Sequence, residues 1–171
     1  MKILFVLFIA AISCAQSSYE WRNFELDRSD KYLIDSEDQV YLSDFDEPND
    51  TVRASIEVRN EDHAFSKIKL SRARLVNDTL RISLHTTTPA YHHEYEITIA
   101  NGKYAIKYRF AGGGGVFDEV LEPTDTRLKL NSNQFKKGDI VRGYTEFKAK
   151  CVKPCNDGLF SAIGNFKVII K

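Results

Sequence analysis

The chain has 171 residues, with 24 Lys and Arg balanced by 24 Asp and Glu, and 43% of its residues are hydrophobic. That length suits one domain able to bury most of its apolar surface. With no net charge and no basic run interleaved with aromatics, a nucleic-acid footprint is excluded.

The N-terminus predicts an export signal. Lys2 precedes the apolar run Ile3–Ile12, and the small residues Ser13, Cys14 and Ala15 follow. The run is too short to span a bilayer. Cleavage after Ala15 leaves a mature chain of residues 16–171 beginning at Gln16. Ala11-Ile12-Ser13-Cys14 also resembles a bacterial lipobox, which implies a lipoprotein signal ending before Cys14 and a lipid on that cysteine. Plain secretion is the preferred reading; lipidation would place the protein in the periplasm or on the outer surface. No later segment is apolar and long enough to cross a membrane.

Residues 16–50 are acidic, with Glu25, Asp27, Asp30, Asp35, Asp44 and Asp50 among many carboxylates against only Arg22, Arg28 and Lys31. Such a segment can recruit cations or a basic partner, but it is expected to lie across the mildly basic remainder of its own domain. Within it, Asp44-x-Asp46-Glu47-x-x-Asp50 gathers the hard oxygen ligands that calcium requires, without the ordered spacing of a calcium loop. The aromatics Tyr19, Trp21, Phe24, Tyr32 and Tyr41 could form a carbohydrate or protein contact surface, but core packing and edge cover are the preferred reading.

From Val52 onward the apolar period is two. Val52, Ala54, Ile56 and Val58 alternate with polar residues, as do Ile68 and Leu70, then Leu80, Ile82 and Leu84. Asn77-Asp78 predicts a turn, and simple pairing around it sets Arg74 opposite Arg81, so a bulge or change of sheet is expected there. Asn101-Gly102 predicts a two-residue hairpin. Pairing Ala100 with Lys103 puts Ile99–Tyr104, Ile97–Ile106 and Tyr95–Tyr108 on one face and Glu96–Lys107 and Glu94–Arg109 on the other. Setting Thr86 opposite Tyr91 adds a third strand, with Arg81 against Glu96 and His85 against His92. The Gly112–Gly115 run lacks the Lys-Ser/Thr and helix of a phosphate loop and reads as a connection. Further alternation at Leu128 and Leu130, at Val141 to Phe147, and at Phe166 and Val168 completes the pattern. Short strands separated by turn chemistry predict an all-β, single-domain antiparallel β-sandwich of Ig-like architecture, with a central meander around residues 79–110.

Chemistry is sparse. Cys151 and Cys155 are the pair left after export and are expected to form a disulfide closing a small loop. His85 and His92 are candidates for a transition-metal site, although Glu94 and Glu96 on the same face have basic partners. Asn49 and Asn77 match the glycosylation pattern, each on a predicted turn. No serine is placed against a histidine and a carboxylate, and adjacent Asp118 and Glu119 face opposite ways in a strand. The expectation is a non-enzymatic binding or interaction module for a protein or carbohydrate ligand, with no resident cofactor. Its alternative is an extracytoplasmic protein that binds calcium through Asp44, Asp46 and Asp50 or a transition metal through His85 and His92.

Overall fold

The computed structural model describes residues 20–29, 53–60, 63–87, 91–112, 118–153 and 159–171. Ten strands fall within them. In chain order they are β1 (Arg22–Asn23), β2 (Glu25–Leu26), β3 (Arg53–Asn60), β4 (His63–Val76), β5 (Thr79–Thr87) and β6 (Tyr91–Ala100). The last four are β7 (Lys103–Gly112), β8 (Asp118–Leu130), β9 (Ile140–Lys153) and β10 (Leu159–Ile169). There is no helix among the described residues.

The all-β expectation holds, but the strands build one sheet rather than two. From β3 to β10 each strand pairs antiparallel with the next in sequence. β10 then returns to β3, so the sheet nearly closes into a barrel. An Ig-like sandwich needs Greek-key crossovers between two sheets, and this up-and-down order has none among the described strands. A sheet with one apolar face must bury it against something. Here rolling the sheet turns that face upon itself.

The inward positions follow the predicted alternation. Ile82, Leu84, Tyr95, Ile97, Phe147 and Phe166 are almost fully buried within one continuous core. Rings fill its centre: Tyr95 meets Phe147 edge-on with centroids 5.2 Å apart, and Tyr108 stacks on Phe147 at 5.9 Å. Two glycines make room where strands crowd. A Cβ on Gly143 would sit 2.7 Å from the Lys129 carbonyl oxygen and against the Phe166 ring, and one on Gly164 would lie 2.7 Å from the Ile56 Cα.

The Asn101-Gly102 hairpin has the predicted register throughout, from Ala100 opposite Lys103 to His93 opposite Phe110. Both turn residues have positive φ, 51° and 74°, as a type I′ turn demands. The third strand is shifted by two residues. Leu84 lies opposite Tyr95 and Arg81 opposite Thr98, while Glu96 faces Ser83. The predicted Arg81–Glu96 pairing is therefore replaced by a Ser83–Glu96–Lys107 row.

Around Asn77-Asp78 the simple pairing survives. Arg74 stands opposite Arg81 with no bulge, both side chains exposed. The irregularity falls earlier in β4. Ile68 shares the inward face with Ile56, whereas Ser71 and Ala73 share it with Leu84 and Ile82. The strand changes parity between these positions, beside a register shift in β3 between Arg53 and Ile56. The buried Ser71 hydroxyl is accommodated by donating to the Lys167 carbonyl at 2.8 Å.

Candidate functional site

In an antiparallel barrel, alternate connections emerge at the same end. The strand ends Asn60 and His63, Thr87 and Tyr91, Gly112 and Asp118, and Lys153 and Leu159 define one rim. The opposite rim carries the tight turns Asn77-Asp78 and Asn101-Gly102 and the connection 131–139. There Phe135 packs against the core, and Gly138 donates to the Ile170 carbonyl at 2.8 Å. That rim is closed by a side chain and backbone hydrogen bonds.

The first rim gathers most of the residues with chemistry in the sequence. His63, His92 and His93 sit at strand beginnings there, and Cys151 sits near the end of β9. The register separates the two candidate metal ligands: His85 lies opposite Glu94, and His92 opposite Thr87. The expected face-to-face His85–His92 pair is thus corrected by the two-residue shift. His85 itself is buried, in a row that runs Leu70–His85–Glu94–Arg109 across four strands. No group of three His, Cys, Asp or Glu arranged for a metal occurs among the described residues.

Other candidates lie outside the described residues: Cys14, Asn49, the calcium candidates Asp44, Asp46 and Asp50, and Cys155 with its expected bond to Cys151. Asn77 is described; it is exposed in the β4–β5 turn with φ of 48°. Asp118 and Glu119 pair with Ala111 and Phe110 where the β7–β8 hairpin opens.

A second region was not foreseen as a site. β7 and β8 pair only from Arg109 opposite Val120 to Ala111 opposite Asp118. Beyond that, the β8–β9 register shifts at Val120/Leu121, where β9 has the extra residue, and at Pro123/Asp125, where β8 has it, and Pro123 has no N–H to offer. The seam that opens is filled from the N-terminal segment. Arg22 and Asn23 pair antiparallel with Tyr104 and Lys103 of β7, and Glu25 and Leu26 pair parallel with Lys129 and Leu130 of β8. Phe24, between them, packs against the core.

Charge holds this segment in place. Arg127 donates Nε and Nη2 hydrogens to the two Glu25 carboxylate oxygens at 2.8 and 3.0 Å. Lys129 stands 3.7 Å from Glu25 and 3.8 Å from Asp27, and Arg22 stands 3.6 Å from Asp125. The Asp27 amide donates to the Leu130 carbonyl at 2.8 Å. The Arg127 hydrogen bonds, reinforced by the charges of Arg127 and Lys129, hold the Glu25 carboxyl below its ordinary range. The described part of the acidic segment therefore lies across basic residues of its own domain. The interleaved spacing of Glu25 and Asp27 against Arg127 and Lys129 was the available sequence signal, but it says nothing of which strands those residues join.

Inside the barrel, polar groups are matched. The Tyr95 hydroxyl and Thr145 Oγ1 are 2.9 Å apart and fully buried, and Tyr104 reaches Thr126 across the seam at 3.0 Å. Burial pushes the Tyr95 phenol well above its ordinary pKa and Tyr104 in the same direction, with the threonine hydrogen bonds opposing. Among the described residues no helix is long and apolar enough to cross a membrane. No family model, curated protein or solved structure matches this chain.

Proposed function

We propose that the protein is an exported, non-enzymatic binding module whose recognition surface is the rim bearing His63, His92, His93 and the ends of β7 and β9. The observation that carries this reading is that the ends of four hairpins meet at one rim, beside three of the four histidines of the sequence. The opposite rim carries two tight turns and the 131–139 connection, where Phe135 packs on the core and Gly138 bonds to Ile170. Loops on a rigid scaffold are where recognition is usually carried. The interior supports it too, because Tyr95, Tyr108 and Phe147 pack against one another at the barrel's centre. An eight-stranded barrel is just wide enough for side chains to fill.

The ligand class proposed is a protein or carbohydrate of the extracytoplasmic milieu. A metal-binding function keeps less support, since His85 and His92 are not directly opposed. The test exchanges loops at each end in turn. Replacing residues 88–90 and 154–158 with unrelated sequences of equal length should abolish capture of the partner from the native milieu. Replacing Asn101-Gly102 with Asp-Gly should leave capture intact. Equal capture by all variants, each melting like the parent, would overturn the assignment to that rim.

A further inference from the structure

We infer that the seam between β7 and β8 is a strand-acceptor site, and that its second occupant is the segment 21–27 of another copy of this chain. This inference is independent of the rim reading above. It starts from the geometry of the seam. The seam separates two strands that the fold otherwise pairs, and it is filled by a segment antiparallel to one and parallel to the other. The hold is brief: Arg22 and Asn23 on one side, Glu25 and Leu26 on the other, with Phe24 as the apolar anchor. Trp21 and Leu26, at the ends of the segment, remain 43% and 44% exposed. A strand held over so few residues opens at a small fraction of the free energy of global unfolding.

The chemistry of the acceptor is already matched to this sequence. Arg127 and Lys129 face Glu25 and Asp27, and Asp125 faces Arg22. An identical segment from a second copy would make the same contacts, so exchange conserves every interaction and alters only chain entropy. Residues 30–52 join the seam segment to β3. A connection of that length can reach at most roughly 75–80 Å, more than the span of one small domain. The segment is therefore free to serve its own barrel or a neighbour's, with the balance set by effective concentration. Acid favours the opening that precedes exchange, because protonating Glu25 removes the negative charge facing Arg127 and Lys129 and leaves only one of the two carboxylate oxygens a good acceptor for Arg127.

The experiment uses two variants of the full chain, each with one cysteine added to the native three. Asn23 and Lys103 are direct register partners, at a separation that antiparallel neighbours share with disulfides. The Asn23→Cys chain is mixed with the Lys103→Cys chain, opened briefly at low pH, neutralised and oxidised. Exchange gives a disulfide-linked heterodimer on a non-reducing gel, and a tenfold rise in protein concentration raises the ratio of linked dimer to monomer about tenfold while dimer is the minor species. The double variant Asn23→Cys/Lys103→Cys serves as reference and should close its own disulfide within one chain. If it does so while the mixture gives no linked pair, exchange is refuted. If the double variant does not close, the seam register is wrong and the inference falls with it. A linked pair that also forms with wild-type chain in place of either variant comes from the native cysteines and counts against exchange.

Discussion

Removing the Tyr95 hydroxyl gives the sharpest test of the packed interior. Tyr95 is fully buried, its ring is fixed between Tyr108 and Phe147, and its hydroxyl is 2.9 Å from Thr145 Oγ1. Tyr95→Phe keeps the ring contacts and leaves the Thr145 hydroxyl without this partner. A buried polar group left unsatisfied costs about 1–3 kcal/mol. Thr145→Val leaves the tyrosine hydroxyl stranded instead, at about the same cost. In the double variant nothing polar is orphaned, so its loss should be smaller than that of either single variant and well below their sum. With a urea m-value of about 2 kcal/mol/M, each single variant lowers the midpoint by about 0.5–1.5 M. Urea unfolding followed by circular dichroism closes the cycle. Costs that add to within about 0.5 kcal/mol would refute a coupled buried pair. An alkaline arm gives an independent reading. The folded pKa of Tyr95 lies above its unfolded value, so between the two the unfolded chain has lost a proton that the folded chain keeps. Stability therefore falls as pH rises through about 10, the ordinary tyrosine value, and Tyr95→Phe should flatten that fall.

The seam offers a pH prediction of opposite sign, read by Trp21, the only tryptophan in the chain. The Glu25 carboxyl is held below its ordinary range, so the stability it contributes is present above the unfolded value and lost as pH falls through the folded one. Trp21 emission should change in acid before far-UV dichroism does, and Glu25→Gln should produce that change at neutral pH; an emission curve that Glu25→Gln leaves unaltered would argue against the ion-paired seam. Arg81→Glu replaces a directly opposed like-charge pair with an attractive one. It should raise stability by about 0.5 kcal/mol, less at high salt, seen as a melting shift of about 1–2 °C. Gly164→Ala would press a Cβ against the β3 backbone at Ser55 and Ile56. A backbone neighbour cannot rotate away, so the cost should reach the about 1–3 kcal/mol of overpacked cores, checked by the same urea assay.

The sequence made the faces of the strands legible but not the partners beyond the tight turn. Asn101-Gly102 specifies its register because both residues must take positive φ, and every pair from Ala100–Lys103 outward follows. Across the β5–β6 connection no such residue pins the turn. Slipping β6 by two residues keeps Leu84, Ile82 and Leu80 inward while changing each partner, so hydrophobic alternation is blind to it. Only packing decides, and here it sets Leu84 against Tyr95. The same blindness applies to sandwich and barrel, which share a two-residue period and turn spacing. The candidate site suffered most. A pairing of His85 with His92 depended on one register, and a shift that leaves the core unaltered was enough to part them.

Pro123 explains why this barrel needs its N-terminal segment. Continued β7–β8 pairing past Val120 would bring Leu121 to Asp125 alongside β7, where a strand must donate and accept in alternation. Pro123 removes one donor, and the register shifts on either side of it rotate the remaining groups out of line. The wall parts there, and Tyr104, Leu128 and Leu130 behind it are nearly all buried apolar surface. An open seam at that place would wet the core and leave two strand edges unpaired, the arrangement that invites association with other chains. Strands β1 and β2, with Phe24 between them, close it from within. Glu25 and Asp27 then have a structural reason to be acidic: they face Arg127 and Lys129. The charge asymmetry of the N-terminal segment is, in its described part, the chemistry of a closure, which moves the search for a ligand away from that segment and toward the rim where the four hairpins end.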